Sequence, residues 1–163
     1  MSNGLVIADA GPIFSLALVD KLDVLDKLFD DIRISKAVWE EISSDDTKPF
    51  HARIVSFFQN KVETIKGRND LTFIMDYGES ESVILYKELD ADFLLIDDKK
   101  ARNIAENYNI NCVGTIGILI KAKELGIIDS LKPIFTSFLN NKRFYSIELL
   151  NTVLINNLEQ PFF

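Results

Sequence analysis

The chain has 163 residues, of which 47% are hydrophobic and 26% charged, a composition typical of one globular domain. Its formal net charge of −7 argues against the broad basic surface with which nucleic-acid-binding proteins usually contact phosphates. The single cysteine, Cys112, excludes a disulfide framework and a cysteine-rich zinc site. The single histidine, His51, is the only residue on which Ser-His-Asp or Cys-His catalysis could depend.

The sequence shows no membrane or secretion signal. Apolar runs such as residues 116–120 are far shorter than the roughly 20 residues that span a bilayer. No basic residue precedes the first apolar stretch, so a secretory signal is not expected. We therefore expect a cytoplasmic protein without membrane contact.

Helices and strands alternate along most of the chain. The first half predicts strand 5–8, one bent helix or two short ones up to residue 29, strand 32–34, a helix at 37–42 capped by Ser35, a helix at 54–58 and strand 62–65. The second half predicts helix 79–89, strand 93–96, helix 99–108, strand 110–113, helix 116–125 ended by Gly126, and helices near 129–140 and 146–158. Because the strands are apolar throughout, this pattern predicts a three-layer α/β/α sandwich around a central parallel sheet, with additional C-terminal helices.

Aspartates follow two of the predicted strands directly. Asp9 comes after strand 5–8, and Asp97 and Asp98 come after strand 93–96. Ligand sites in parallel sheets form beyond the carboxyl ends of the strands, so these carboxylates are predicted to share one crevice. For any one of them alone, a role as a turn or N-cap residue is the better explanation, so the prediction depends on their joint placement.

Glutamates on two predicted helices extend this set. At 100° per residue, Glu41 lies at the border of the apolar stripe of its helix, whereas Glu40 points to solvent. Glu79 and Glu81 lie in the first turn of their helix, where acids stabilise the helix dipole. Residues two apart do not share a helix face, so we expect one of them to bind a ligand while the other caps the helix.

Three to five convergent carboxylates favour Mg²⁺ or Mn²⁺, which prefer oxygen ligands. Such a metal lowers the pKa of bound water and stabilises the charge that develops on phosphate oxygens. Without metal, the carboxylates would repel one another and some would take up protons.

Five segments resemble the PIN-domain family, and they occur in the family's order: LVIADAGP (5–12), AVWEEI (37–42), GESESVI (78–84), LLIDDKKAR (94–102) and VGTIG (113–117). The last two are similar to a prokaryotic, toxin-like branch of uncharacterised PIN proteins. The resemblance implies a PIN-like nuclease domain at residues 1–126, with residues 127–163 as a helical extension packed on the same domain. It also implies an Mg²⁺- or Mn²⁺-dependent endoribonuclease, often the toxin of a toxin–antitoxin pair, with RNA as substrate, an antitoxin as partner and often a homodimeric assembly.

Residue by residue, the resemblance implies four acidic site positions. The first is Asp9, and the second is Glu41, which precedes the aliphatic Ile42. The third is Glu81 or Glu79, and the fourth is Asp98 or Asp97. We prefer Glu81 and Asp98, because the residues that follow each of them keep the family's pattern. The predicted catalytic set is thus Asp9, Glu41, Glu81 and Asp98, with Glu79 and Asp97 as alternative metal ligands.

Substrate contacts are predicted beside these acids. Lys99, Lys100 and Arg102 are the local candidates for phosphate contacts, although a solvated helix face explains them nearly as well. Ile96 stands where many PIN nucleases have Thr or Ser. Thr115 could supply that hydroxyl instead, and it also suits capping of the helix that follows.

Two other functions fit part of the pattern. A receiver-like phosphotransfer domain also places acids around Mg²⁺ at strand ends, but the chain lacks the expected Lys after a late strand and has extra C-terminal helices. A PIN-like binding module without activity is the second, and the presence of all four acidic positions argues against it.

Twelve phenylalanines are many for this length, and they suggest an apolar surface for self-association. The segments considered are Phe57-Phe58, Phe135, Phe138, Phe144-Tyr145 and Phe162-Phe163. Burial under the last two helices is the alternative. With the family resemblance, the set predicts a two-fold homodimer.

Overall fold

The computed structural model describes residues 4–143 and 145–163. In this part of the chain, five strands form one sheet in the order β3-β2-β1-β4-β5. They are β1 (Leu5–Ala8), β2 (Asp31–Ser35), β3 (Val62–Glu63), β4 (Phe93–Leu95) and β5 (Cys112–Val113). Every pairing is parallel, and the central strand β1 pairs with β2 on one side and β4 on the other. The carboxyl ends of β1 and β4 therefore lie next to each other.

Helices follow the strands, and those that end before residue 115 flank the sheet. They are α1 (Ala10–Leu18), α2 (Asp23–Leu28), α3 (Lys36–Ser43), α4 (His51–Phe58), α5 (Tyr77–Glu88), α6 (Lys99–Asn107), α7 (Thr115–Glu124), α8 (Lys132–Asn140) and α9 (Ile147–Asn156). A parallel sheet flanked by helices is the predicted α/β/α sandwich, and this prediction is confirmed. In the described part of the chain, no helix is both long and apolar enough to cross a membrane.

The sheet is apolar on both faces. Ile7, Leu94 and Ile96 point to one face, where they form a core with residues of α5 and α6 such as Val83 and Ala105. The intervening residues Val6, Ala8 and Leu95 point the other way and are also buried. Burial of both faces explains why the strands read as unbroken apolar runs.

The structure separates two compact units, Met1–Thr115 and Ile116–Phe163. Within the second unit, Glu159 accepts hydrogen bonds from the backbone N–H groups of Leu131 and Lys132 and pairs with Lys123. These bonds join the chain end to the start of α8. The domain boundary at 126 and the packing of residues 127–163 on the rest of the chain remain predictions.

Several element boundaries differ from the sequence prediction, among them the following two. The helix predicted at 79–89 begins at Tyr77, because Asp76 caps it in a capping box with Glu79. The strand predicted at 62–65 is only two residues long and pairs at the edge of the sheet with β2. Gly126 has a φ of +74°, the left-handed conformation expected of a residue that ends a helix.

The phenylalanines of the predicted set differ in burial. Phe58, Phe135 and Phe138 are fully buried, and Phe57 and Phe162 are half-buried. Phe163 is exposed, and Phe144 lies outside the described residues. Three of the six described phenylalanines in the predicted set are thus unavailable for a surface patch.

Candidate functional site

Asp9 lies at the carboxyl end of β1, and its backbone N–H donates to the carbonyl of Leu95 in β4 (2.9 Å). It occupies the N-cap position of α1, yet its side chain makes no capping hydrogen bond. The residue is only 7% exposed. A carboxylate this buried is costly to ionise unless a partner stabilises it, so capping does not explain Asp9.

The amino terminus of α5 brings two more acids to the same place. The Asp76 carboxylate accepts the backbone N–H of Glu79 (2.8 Å), and the Glu79 side chain accepts the backbone N–H of Asp76 (3.4 Å). Both carboxylates act electrostatically on Asp9. Asp76 was absent from the predicted site, although the Asp-x-x-Glu spacing at 76–79 is a sequence signature of a capped helix.

Glu41 approaches from α3, which packs against α5. A Cβ atom built on Gly78 would lie 3.1 Å from Oε2 of Glu41 and 3.8 Å from Oδ1 of Asp76. Gly78 thus leaves the space into which the Glu41 carboxylate extends. Glu40, one residue earlier on the same helix, is exposed as predicted, and Glu41 is exposed too, although its carboxylate reaches the space beside Gly78.

Asp98 completes the group from the carboxyl end of β4. Its side chain caps α6 by accepting the backbone N–H of Ala101 (2.8 Å), and its charge acts on Glu79. Asp76, Glu79 and Asp98 line one open cleft of about 360 Å³, together with Lys100, Ala101 and the turn residues Thr72, Phe73, Ile74 and Met75.

The carboxylates destabilise one another's charged forms. Burial, followed by the charges of Glu79, Asp76 and Glu41, raises the pKa of Asp9 to about 8. The Ala10 backbone N–H opposes this rise. Burial, followed by the charges of Asp76 and Asp98, raises the pKa of Glu79 to about 7. The pKa of Glu41 is also raised, by burial and then by Asp76. Near neutral pH the group therefore retains protons that a cation could displace.

Glu81 makes a different set of contacts. It is 5% exposed, and its carboxylate accepts the backbone N–H of Ala37 in the first turn of α3 (3.1 Å). Its hydrogen bond with the Tyr77 hydroxyl raises the pKa of that tyrosine. Ser35 accepts the next N–H, that of Val38 (3.1 Å), so the two side chains together satisfy two free donors at the start of α3.

We expect Glu81→Ala to destabilise the fold by about 1–3 kcal/mol, because it leaves the buried N–H of Ala37 without its acceptor. Glu81→Gln retains an oxygen acceptor of nearly the same size and should lose less. Urea unfolding of both variants measures the difference. Equal midpoints for wild type and Glu81→Ala would show that this bond contributes nothing.

Asp97 points to the start of α7. It accepts the backbone N–H of Thr115 (2.8 Å) and the Thr115 hydroxyl (2.7 Å), and Thr115 is fully buried. A Cβ atom on Gly114 would lie 3.2 Å from Oδ1 of Asp97 and 3.0 Å from Nη1 of Arg102, so glycine lets both side chains approach the backbone closely. Asp97 and Thr115 thus bind each other, whereas Asp98 faces the cleft.

The three predicted phosphate contacts are spread over α6. Lys100 lines the cleft beside Asp98. Lys99 is exposed, and Arg102 is half-buried next to Gly114. Of the three, Lys100 therefore has the clearest access to the acidic group.

The acids are neighbours but are not assembled as a ready coordination shell. Within residues 4–143 and 145–163, no three His, Cys, Asp or Glu side chains are close enough to hold a metal ion as they stand. The donor chemistry is nevertheless suitable, since every group is a carboxylate. Glu41 and Glu79 have several rotatable bonds each, so a cation could draw them closer without a change in backbone.

Comparison with known proteins assigns the family. A family model described as a PIN domain matches residues 5–159. No curated protein matches the chain at a significant level. One similar solved structure is a domain of a functionally unknown protein from Methanocaldococcus jannaschii DSM 2661, which is 20% identical, with coverage of 68% of this chain and 90% of that one and a TM-score of 0.43. The family match covers nearly the whole chain, and this protein therefore belongs to the PIN-domain family.

Proposed function

We propose that this protein is an Mg²⁺- or Mn²⁺-dependent endoribonuclease whose site consists of Asp9, Glu41, Glu79 and Asp98. The observation that carries the proposal is the state of Asp9. It is nearly buried, does not cap its helix, and has a pKa raised to about 8 by burial and by the surrounding acids. A divalent cation would stabilise the charged form of such a carboxylate beyond what the Ala10 backbone N–H provides.

Glu79 replaces Glu81 in the proposed set because of their contacts. Glu79 acts electrostatically on Asp9 and lines the cleft, whereas Glu81 is engaged with Ala37 and Tyr77. Asp98 is preferred over Asp97 for the same reason, since Asp97 accepts both hydrogen bonds from Thr115. Asp76 lies beside this set and holds the Glu79 backbone.

A divalent metal bound by these carboxylates would supply an activated water and would neutralise charge on the phosphate. The protein contributes the positioning. The parallel pairing of β1 with β4 brings Asp9 and Asp98 to one edge, and Gly78 leaves room for Glu41. Lys100, on the rim of the cleft, is suited to contact a phosphate and partly offsets the negative charge that would repel RNA.

The test is cleavage of a labelled single-stranded RNA by the purified chain. We expect cleavage with Mn²⁺ or Mg²⁺, none after addition of EDTA, and recovery when excess metal is restored. A DNA oligonucleotide of the same sequence serves as the matched substrate control. RNA that stays intact at every metal concentration would contradict the proposal.

A second candidate is a PIN-like binding module without activity. The observation that favours it is that the described residues contain no preassembled metal-binding group. In that case the chain would bind RNA or a partner without cleaving. The receiver-like alternative is excluded, because receivers have the strand order 2-1-3-4-5 and this sheet has the order β3-β2-β1-β4-β5.

We further propose a cytoplasmic toxin that acts as a homodimer and is held inactive by an antitoxin. Family membership supports this proposal, as does helix α9, which buries Leu150, Val153 and Leu154 while Ile147 and Ile155 remain exposed. Leu158, just beyond the helix, is 97% exposed.

Light scattering over a dilution series measures the assembly. We expect the mass of a dimer that dissociates at low concentration, and we expect Ile155→Lys with Leu158→Lys to shift the protein toward monomer. A monomer mass at every concentration would rule the dimer out.

A further inference from the structure

An aromatic side chain stands exposed in the acidic cleft. Phe73 is 92% exposed and lines the cleft together with Asp76, Glu79, Asp98 and Lys100. A ring this exposed gives up the free energy that burial of an aromatic side chain would contribute. None of the functions assigned above uses it.

The turn that carries Phe73 is held in place on both sides of the ring. Leu71 accepts the backbone N–H groups of Ile74 and Met75 (3.0 Å each), and Asn69 donates to the Ser80 hydroxyl (2.8 Å). Met75 is buried in the core of the first unit, and Leu71 packs against the same core. Leu71 and Met75, two residues before and two after Phe73, point inward. The turn between them therefore presents Phe73 outward.

The surroundings of the ring indicate what it contacts. A polynucleotide offers a flat base and a charged phosphate one nucleotide apart, and the cleft offers an aromatic face and the ammonium group of Lys100. An apolar protein surface covering this position would bury Asp76, Glu79 and Asp98 at high desolvation cost. RNA would be repelled by the same acids unless the proposed divalent cation and Lys100 offset their charge.

We propose that Phe73 is a stacking platform for an unpaired base of the RNA substrate. This rests on the proposed function for the identity of the substrate. A base inside a duplex has both faces stacked on its neighbours, whereas a base in a single strand can turn onto the ring. Phe73 would then set the position of the strand relative to the acidic group.

The test measures binding rather than cleavage. Fluorescence anisotropy of a short labelled single-stranded RNA is recorded with Asp9→Asn as the parent protein in Mg²⁺. Adding Phe73→Ala should weaken binding by roughly tenfold or more, the usual loss for one stacked base. Phe73→Trp should preserve the affinity. Phe163→Ala, which removes an equally exposed ring that does not line this cleft, should leave it unchanged.

Two further ligands show whether a base is responsible. An abasic strand of equal length should bind Phe73→Ala and its parent equally, and a duplex should bind the parent more weakly than the single strand does, with a much smaller difference in Phe73→Ala. Equal affinity of Phe73→Ala and its parent for the base-containing strand would overturn the proposal. So would an effect of Phe73→Ala on self-association alone, which would identify the ring as a protein contact. Base-dependent loss of binding without any cleavage by wild type would leave this inference standing and would refute the nuclease proposal.

Discussion

Asp9→Asn is expected to reduce metal-dependent RNA cleavage by at least about 100-fold. Loss of a residue that only supports a metal ligand typically costs 10- to 100-fold, and a direct ligand should cost no less. The substitution removes one negative charge at nearly constant size, so the fold should persist. Steady-state cleavage of the labelled single strand with Mn²⁺ provides the measurement, with circular dichroism to verify the fold.

Matched variants separate this site from general effects of charge. Glu40→Gln removes an exposed acid from the same helix as Glu41 and should cleave at the wild-type rate. Glu79→Gln should be impaired far more than Glu81→Gln, because the Glu79 carboxylate acts on Asp9 while the Glu81 carboxylate is engaged with α3. Cleavage by Asp9→Asn at the wild-type rate would place the activity elsewhere.

The same substitution is expected to stabilise the metal-free protein by a few kcal/mol at alkaline pH. The pKa of Asp9 is about 8 in the folded protein, above the value of about 3.9 in an unfolded chain. A raised folded-state pKa means that stability is highest below the unfolded value and falls as pH rises through the folded one. Wild type should therefore lose stability between about pH 4 and pH 8, and Asp9→Asn should lack this component.

Urea unfolding in EDTA at several pH values measures this difference. The advantage of Asp9→Asn should be smallest near about pH 5 and largest above about pH 8. Addition of Mn²⁺ should raise the stability of wild type much more than that of the variant, since a ligand stabilises the state that binds it. A variant that is less stable than wild type at every pH would show that the Asp9 charge is compensated within the protein.

The acidic residues at the ends of the strands were the part of the candidate site that could be predicted from the sequence. Asp9 and Asp98 follow apolar runs, and parallel pairing places the ends of such runs at one edge of a sheet. The position of Glu41 at the border of an apolar stripe likewise needed only helical geometry. These residues could be proposed because local pattern and sheet direction suffice to place them.

The choice between Glu79 and Glu81 could not be made in this way. Two residues along a helix correspond to a rotation of about 200°, so only one faces the cleft, and which one depends on how α5 packs against α3. The buried bond from Ala37 to Glu81 is a tertiary contact that no local pattern encodes. Asp76 was missed because the start of α5 was placed two residues late, at Glu79.

The exposure of individual phenylalanine side chains could not be predicted from the sequence either. Phe58, Phe135 and Phe138 are buried, whereas Phe73 is almost fully exposed, although nothing in their immediate sequence separates them. The difference arises because Leu71 and Met75 fix the turn between them. A surface ring of this kind is found only when the packing of its neighbours is known.

A crystal structure grown with Mn²⁺, with the metal located by its anomalous scattering, tests the central claim most directly. We expect an anomalous peak at the carboxyl ends of β1 and β4, bound directly or through water by Asp9, Glu41, Glu79 and Asp98, with Glu81 still bonded to Ala37. A peak at another place, or no peak beside Asp9 at saturating Mn²⁺, would contradict a metal-dependent site formed by these carboxylates.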